Sequence, residues 1–490
     1  MTGKLSALSY RLAIGAVMAC AALPGPAQAF QNGPQSVAPL AKKLVDAVVN
    51  IATSQTVKGP SGVPLPKVPK GAPFEDFFDD FFNKRGGVPH NDRKISSLGS
   101  GFVIDGKEGL IVTNNHVIDG AEEIDINFHD GSTLKVDKVI GRDTKSDLAL
   151  LKVTPKKPLT DVKFGSSAQI DVGDWVMAIG NPFGLGGSVS LGIISAKSRD
   201  INSGPYDDYL QTDAAINKGN SGGPLFNMDG DVIGVNTAII SPTGGSIGIG
   251  FAVPSDTVAN VIDQLKQYGE VRRGWLGVKI QSITDDIAET LGLPESDGAL
   301  VAAVTPDSPA SKAGLEAGDV ILKFDSKDVT TMRGLPRIVA QAPIGKAVDV
   351  EILRKGQHKN VQVTVGLLAD EGDTDVDVTE PDDDGGVITS PSAHLMGLKL
   401  SALTDDLRRK YGFDDKVKGV VVEAVDADSP AGKKGIKAGD VIVEAGQEAV
   451  SQPGDVAAGI EKVKKSGRKA VLLRVEDGKG DLRFVAVPIS

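Results

Sequence analysis

The stretch Gly219-Asn220-Ser221-Gly222-Gly223-Pro224-Leu225 decides how this chain is read. A serine hydroxyl is a poor nucleophile until a base takes its proton. The surrounding glycines let the backbone turn tightly, so that N–H groups can point at an oxyanion developing on a substrate. The base should be a histidine, and the histidine needs an acid to hold its tautomer. Of five histidines, His116 stands out in Val112-Thr113-Asn114-Asn115-His116-Val117, at the end of a predicted strand. Asp147 directly precedes a second predicted strand, Leu148-Ala149-Leu150-Leu151. The candidates therefore run in chain order His116, Asp147, Ser221. His90, His129, His358 and His394 lack such context and read as solvated or structural side chains.

Around these residues lie short apolar runs separated by turn signals: 101–104, 110–112, 124–128 and 148–153, then 175–179, 189–195, 232–235 and 247–253. Glycine is 59 of 490 residues, well above the usual share of about 7%. Many short strands with glycine-rich turns predict a mainly β sandwich or barrel. Residues 255–268 read as a closing helix. Residues 30–50 hold one amphipathic segment, with Leu40, Leu44, Val45 and Val48 on one face. Residues 56–95 are irregular and proline-rich, and contain Phe74, Phe77, Phe78, Phe81 and Phe82 among acidic residues.

The C-terminal part carries an internal repeat. Residues 298–329 align without gaps to 419–450, with 16 identities in 32 positions. Between the copies, residues 369–385 hold nine Asp or Glu and no Lys or Arg, a solvated and self-repelling tether. That tether accounts for most of the net charge of −11, so the acidity says little about the substrate. A net charge of −11 argues against nucleic acid as the main partner.

The first 29 residues predict a cleaved export leader: Lys4 and Arg11, an uncharged and mostly apolar run over 12–23, then Ala27-Gln28-Ala29. An uncleaved anchor and a lipoprotein site at Val17-Met18-Ala19-Cys20 are the alternatives. Cys20 is the single cysteine, so cleavage after Ala29 leaves none. That excludes a disulfide framework and any multi-cysteine metal site, and no metal or cofactor is expected.

These residues resemble the trypsin-like serine proteases, and specifically the HtrA/DegP family of exported proteases. The matching segments are Gly99-Ser-Gly-Phe-Val-Ile104, Thr113-Asn-Asn-His-Val117, Asp147-Leu-Ala-Leu-Leu-Lys152, Gly180-Asn-Pro-Phe-Gly184, Thr212-Asp-Ala-Ala-Ile-Asn217 and Gly219 to Leu225. The repeats resemble PDZ domains. The resemblance implies a double six-stranded β-barrel protease domain over 30–268, with a Phe-rich regulatory loop at about 56–95. A PDZ domain over 269–367, an acidic linker over 368–388 and a second PDZ domain over 389–490 would follow. It further implies that Ser221 is the nucleophile, His116 the general base and acid, and Asp147 its orienter. Backbone N–H groups of Gly219 and Ser221 would form the oxyanion hole. Asp143 is a nearby alternative acid; Asp147 is preferred because it directly precedes the matching strand.

Further expectations follow from where the chain departs from its relatives. Asn220 stands where many trypsin-like enzymes carry an aspartate that pairs with a newly cut N-terminus. Activity is then expected to be set by loop ordering. The residue six before the serine, at the pocket base in this fold, is Ala215, followed by Ile216. With no acid there, cleavage is expected after small or medium aliphatic residues. A PDZ domain captures an extended peptide, often a C-terminus, on a sheet edge. Trp275-Leu276-Gly277-Val278 is the carboxylate loop expected in the first copy and Met396-Gly397-Leu398 the candidate in the second, which could instead only pack against neighbouring subunits. The expected protein is an ATP-independent serine endopeptidase of the periplasm, built from trimers, that takes unfolded polypeptides and peptide C-termini. A holdase chaperone and a dedicated signalling protease are the competing readings.

Overall fold

A computed structural model describes residues 33–57, 93–180, 187–217, 219–241, 245–369, 392–414 and 417–489. The expected leader, the Phe-rich segment, Asn181-Pro182-Phe183-Gly184 and nearly all of the acidic tether lie outside the described residues.

The chain opens with helix α1 (Ala38–Leu44), entered at a proline, and one 3-10 turn. Strand β1 (Val48–Val57) follows immediately, so the amphipathic segment over 30–50 is divided between helix and strand. The reason is tertiary: β1 is a central strand, paired with both β2 (Arg93–Asp105) and β4 (Glu123–Asn127). Strands β3 (Leu110–Thr113), β5 (Thr133–Lys135), β6 (Lys138–Asp143) and β7 (Leu148–Lys152) complete a sheet of order β5-β4-β1-β2-β3-β7-β6.

Seven strands stand here where six were expected, because one bent strand is split at the sheet's corner. Val136 N–H still donates to Ile124 of β4, while Asp137 N–H donates to Lys152 of β7. The chain changes partners between these two residues and curls the sheet round. A second, closed barrel has the order β10-β13-β12-β11-β8-β9. Its strands are β8 (Trp175–Gly180), β9 (Ser188–Arg199), β10 (Tyr209–Thr212), β11 (Pro224–Phe226), β12 (Val232–Ile239) and β13 (Gly250–Pro254).

Strand periodicity explains why several runs are apolar throughout. Ala149 and Leu151 fill the first barrel with Ile51, Ile111 and Ile126, whereas Leu148 and Leu150 point outward. In β8, Val176 and Ala178 fill the second barrel and Met177 and Ile179 point outward. The outward sets meet between the barrels, with Phe102, Phe226 and Phe251. A strand buried on both faces shows no polar alternation. Helix α3 (Ser255–Tyr268) closes this layer with Val258, Val261, Ile262 and Leu265, spaced three or four residues apart on one face. Each such side chain contributes roughly 1.5–3 kcal/mol on full burial. Gly269, at φ +77°, ends the helix, its N–H bonding the Leu265 carbonyl.

Two α+β units follow. The first has sheet strands Val278–Gln281, Ala299–Val304, Val320–Phe324, Ala347–Arg354 and Gln357–Thr364. The second repeats the pattern with Leu398–Ala402, Val420–Val425, Val441–Ala445, Ala470–Glu476 and Leu482–Pro488. The repeated Gly-Asp-Val-Ile explains itself in the structure. Asp319 and Asp440 are buried, and each meets an arginine, Arg354 at 2.6 Å and Arg483 at 2.9 Å. The first unit is tied back to the barrels by Arg337 on Asp208, at 2.6 Å, and by a pair between Arg333 and Asp200.

Candidate active site

Thr113 ends β3, and a single helical turn, α2 (Asn115–Ile118), carries His116 into the cleft between the barrels. Asp147 sits at the entry to β7 with φ +55°, a left-handed conformation that aspartate tolerates better than most residues. This turn returns its carboxylate to α2. Oδ1 accepts the His116 backbone N–H at 2.8 Å, and Oδ2 faces His116 Nδ1 at 2.5 Å. The Asp147 carbonyl accepts Asn114 Nδ2 at 2.7 Å and the Asn115 N–H at 3.1 Å. The aspartate is thus committed to residues 114–116 through side chain and backbone alike. With a proton on Nδ1 shared with Asp147, Nε2 is the ring atom left to accept one. Burial disfavours the imidazolium, but the charge and hydrogen bond of Asp147, helped by Asp119, outweigh it and raise the His116 pKa above 6.5.

Ser221 comes from the other barrel, on the loop that enters β11. Its own carbonyl accepts the Ser100 N–H at 2.9 Å, and the Gly219 carbonyl accepts Ser100 Oγ at 2.6 Å. Gly222 donates to the Asn236 carbonyl at 2.8 Å, and Asn236 donates back to Gly223 at 2.9 Å. Gly222 is at φ +82°, and a Cβ there would lie 2.3 Å from Ser100 O and Thr113 Oγ1 and 2.9 Å from Asn114 N. Only glycine lets the serine loop press so closely against the chain that carries His116. A further link between the barrels is Asn114 Nδ2 on Thr237 Oγ1, at 3.0 Å. Among the described residues, neither the Gly219 nor the Ser221 N–H is used in a hydrogen bond. Such donors can stabilise charge developing on a substrate carbonyl.

Asn220 is buried against Gly180, where a Cβ would fall 2.3 Å from its Oδ1. Among the described residues that oxygen accepts nothing, as is also true of Oδ1 in Asn114, Asn115 and Asn236. Unsatisfied buried polar atoms are uncommon, and these four gather round the same cleft. Ala215 is exposed and its carbonyl accepts Ser190 Oγ at 2.8 Å. Ile216 is buried in the second barrel's core, and a Cβ on Gly250 would lie 2.7 Å from it. Asp143, the alternative acid, is committed elsewhere. Its oxygens accept Arg273 Nη1 at 2.8 Å and Nη2 at 2.5 Å, a pair buried on both sides. Burial would raise the Asp143 pKa, but Arg273 and Ser146 prevail and lower it.

Ser100, Thr113, Asn114, Asn236 and Thr237 are the site residues that sequence reasoning passed over. For Ser100, Thr113 and Asn114 a signal existed, since they lie inside the quoted motifs. Asn236 and Thr237 had none beyond being polar within the apolar run of β12.

In the first α+β unit, Trp275 pairs with Gly366, and Leu276, Gly277 and Val278 lead into the strand Val278–Gln281. The Leu276 and Gly277 carbonyls accept N–H groups of Ala310 and Thr305, at 2.9 Å each. Among the described residues the N–H groups of Leu276 and Gly277 donate to nothing.

Comparison with known proteins fits this arrangement. The family model for a trypsin-like peptidase domain matches residues 99–235, and that for a PDZ domain matches 274–365 and 395–481. A protein of Brucella suis biovar 1, named as a periplasmic serine endoprotease, DegP-like, is 42% identical over 478 residues, covering 92% of this chain and 89% of its own. This chain belongs to the HtrA/DegP family of serine endoproteases. A relative of the same name from Rhizobium meliloti is 41% identical over 435 residues, with 86% and 84% covered. Among solved structures, the HtrA-type protease AlgW with a decapeptide superposes with TM-score 0.56 at 39% identity, covering 69% of this chain and 100% of that one. The HtrA-type chain is accordingly a serine endopeptidase with two PDZ domains, and its relatives are named as periplasmic enzymes.

Proposed function

We propose that His116, Asp147 and Ser221 form the catalytic triad of an ATP-independent endopeptidase that degrades unfolded or misfolded proteins in the periplasm. The observation that carries this reading is the complete engagement of Asp147 by the turn bearing His116, with Nδ1 at 2.5 Å from Oδ2. His116 Nε2 takes the Ser221 proton as Oγ attacks the scissile carbonyl carbon. The carbonyl oxygen becomes an oxyanion, held by the Gly219 and Ser221 N–H groups. The imidazolium, stabilised by Asp147, then protonates the leaving amine, giving an acyl-enzyme that water hydrolyses through the same base.

With no acid at Ala215 or Ile216, cleavage after Val, Ala or Ile is favoured. A peptide panel checks this, and dominant cleavage after Lys or Arg refutes it. The first PDZ domain takes peptide C-termini on the loop Trp275 to Val278 and raises substrate concentration near the protease. The chain is exported by a leader over residues 1–29, assembles as trimers and multiples of trimers, and also holds unfolded chains as a chaperone. Residues 56–95 help hold a resting state.

The test compares the full-length protein with Ser221→Ala on an unfolded protein substrate. Turnover should fall by about 10⁴-fold or more, with suppression of aggregation retained. Proteolysis surviving the substitution overturns the triad. Aggregation suppression lost with it removes the chaperone role alone.

A further inference from the structure

The two PDZ domains are the same module with their binding edges in opposite states. In the first, the sheet order is Val278–Gln281, Ala299–Val304, Val320–Phe324, Ala347–Arg354, Gln357–Thr364, so Val278–Gln281 is an edge strand. Among the described residues no strand pairs with its far side, where a further strand can add. In the second, the corresponding strand Leu398–Ala402 has a further strand on that side, Ser392–Leu395. The pairing is antiparallel, Ser392 with Ser401, Ala393 with Leu400, His394 with Lys399 and Leu395 with Leu398.

The loops are equivalent, which makes the difference meaningful. A Cβ on Gly277 would lie 2.2 Å from Ser308 Cβ, and one on Gly397 would lie 2.1 Å from Ser429 Cβ. The Gly277 and Gly397 carbonyls accept the N–H groups of Thr305 and Asp426, at 2.9 and 2.8 Å. The preceding residue parts company. Leu276 turns its carbonyl to Ala310 N–H, whereas Met396 is left-handed, at φ +55°, next to Gly397 at φ +81°. Two successive positive φ values make the two-residue turn that closes a tight hairpin. The loop that admits a carboxylate in one copy is a hairpin turn in the other. Leu395 and Met396 pack against the domain's core, and the helix Pro453–Lys465 packs against both strands of the hairpin.

We propose that the second PDZ domain carries its own ligand: residues Ser392–Leu395 fill the edge where a captured peptide would add. The first domain is then the peptide-taking module, a clause that rests on the function proposed above. Free peptide must displace a strand joined by two residues, whose effective concentration is about millimolar or higher. The second domain meanwhile buttresses the first from its other face. Gln281 exchanges hydrogen bonds with both backbone groups of Phe484, at 2.8 Å each, and Leu472, Phe484 and Ala486 share a core with Ile287, Leu300 and Val320.

The test uses the full chain with Ser221→Ala. In a hairpin closed by two residues, the pair Leu395–Leu398 exchanges hydrogen bonds and the next pair, His394–Lys399, does not, leaving Cα atoms about 4.5 Å apart. His394→Cys with Lys399→Cys should therefore cross-link on mild oxidation, read by mass spectrometry. Calorimetry with a decapeptide ending in an apolar residue, and with its C-terminal amide, counts the sites. The parent and the cross-linked protein should each bind about one peptide per chain, with binding lost for the amide. Ala393→Pro removes a ladder N–H and should raise the count to about two. The proposal is overturned by two sites in the parent, by failure of the cysteines to cross-link in folded protein, or by a folded Ala393→Pro that still binds one. Should Ala393→Pro not fold, the cross-link and the parent's count decide. A parent that binds no peptide refutes capture by the first domain and leaves the cross-link to judge this proposal.

Discussion

The two barrels contribute to the cleft in different ways. The N-terminal barrel supplies His116 and Asp147 as a unit assembled within residues 114–147, joined by side-chain and backbone hydrogen bonds. The C-terminal barrel supplies Ser221 on a loop whose hold is largely backbone, and two of those bonds come from Ser100 in the opposite barrel. The proposed acid–base pair is therefore local to one domain, while the position of the proposed nucleophile depends on how the domains meet. Damage to the first half should act on the tautomer and charge of the imidazole. Damage to the second should act on placement.

Asp147→Asn is the strongest separate test of the first half. Asparagine tolerates the left-handed backbone at φ +55° and keeps the carbonyl contacts to residues 114 and 115. With its one side-chain oxygen on the His116 backbone N–H, its Nδ2 faces Nδ1 and donates, so the imidazole loses its tautomer and its counter-charge. The expected loss is about 10⁴-fold in kcat, with thermal unfolding nearly unchanged. A loss below about tenfold would separate Asp147 from the chemistry.

Gly222→Ala tests the second half. The added methyl meets Ser100 O and Thr113 Oγ1 at 2.3 Å, and the residue keeps an unfavourable positive φ. The serine loop must shift from the chain bearing His116, and a displacement near 1 Å costs roughly 10²-fold in turnover. Stability should fall by more than about 1 kcal/mol, because the native backbone does not suit alanine. Chemical unfolding and steady-state kinetics on one preparation check both. Full activity in this variant would show that the serine loop does not need its close approach to the first barrel.

Much of this organisation was legible in the sequence. The motifs around His116, Asp147 and Ser221, the closing helix over 255–268 and the duplicated Gly-Asp-Val-Ile all carry their cause in a few adjacent residues. What was not legible depends on distant partners. Val48 to Asn50 look like the tail of an amphipathic segment and 56–95 like irregular chain, yet β1 runs on to Val57 and β2 begins at Arg93, because β1 is flanked by β2 and β4. The run over 247–253 reads as a single strand, yet β13 begins only at Gly250, where pairing with Thr212 and Ile239 starts. Sequence position favours Asp147 over Asp143 as the acid, but only Arg273, 130 residues away, shows where Asp143 is committed. Met396-Gly397-Leu398 matches a binding loop in composition. Only the backbone angle of Met396 and the ladder beyond it reveal a hairpin.

The smallest effect, and the one that separates the halves most cleanly, is the position of the acid limb of the pH profile. In the proposed mechanism His116 must be neutral to accept the Ser221 proton, and its pKa lies above the ordinary 6.5 because Asp147 and Asp119 outweigh burial. The rise of kcat/KM with pH should therefore have its midpoint above 6.5. Stability runs the other way. A raised folded-state pKa gives stabilisation that is full below the unfolded value and is lost as pH rises through the folded one. Asp147→Asn should move the midpoint down, since the counter-charge is gone and burial remains. Gly222→Ala should lower the plateau and leave the midpoint in place, because the atoms its methyl meets belong to Ser100, Thr113 and Asn114, not to the carboxylates that set the imidazole's charge. A midpoint that moves with Gly222→Ala would mean that the serine loop, not Asp147 alone, sets the charge of His116, and the division of labour between the barrels would fail.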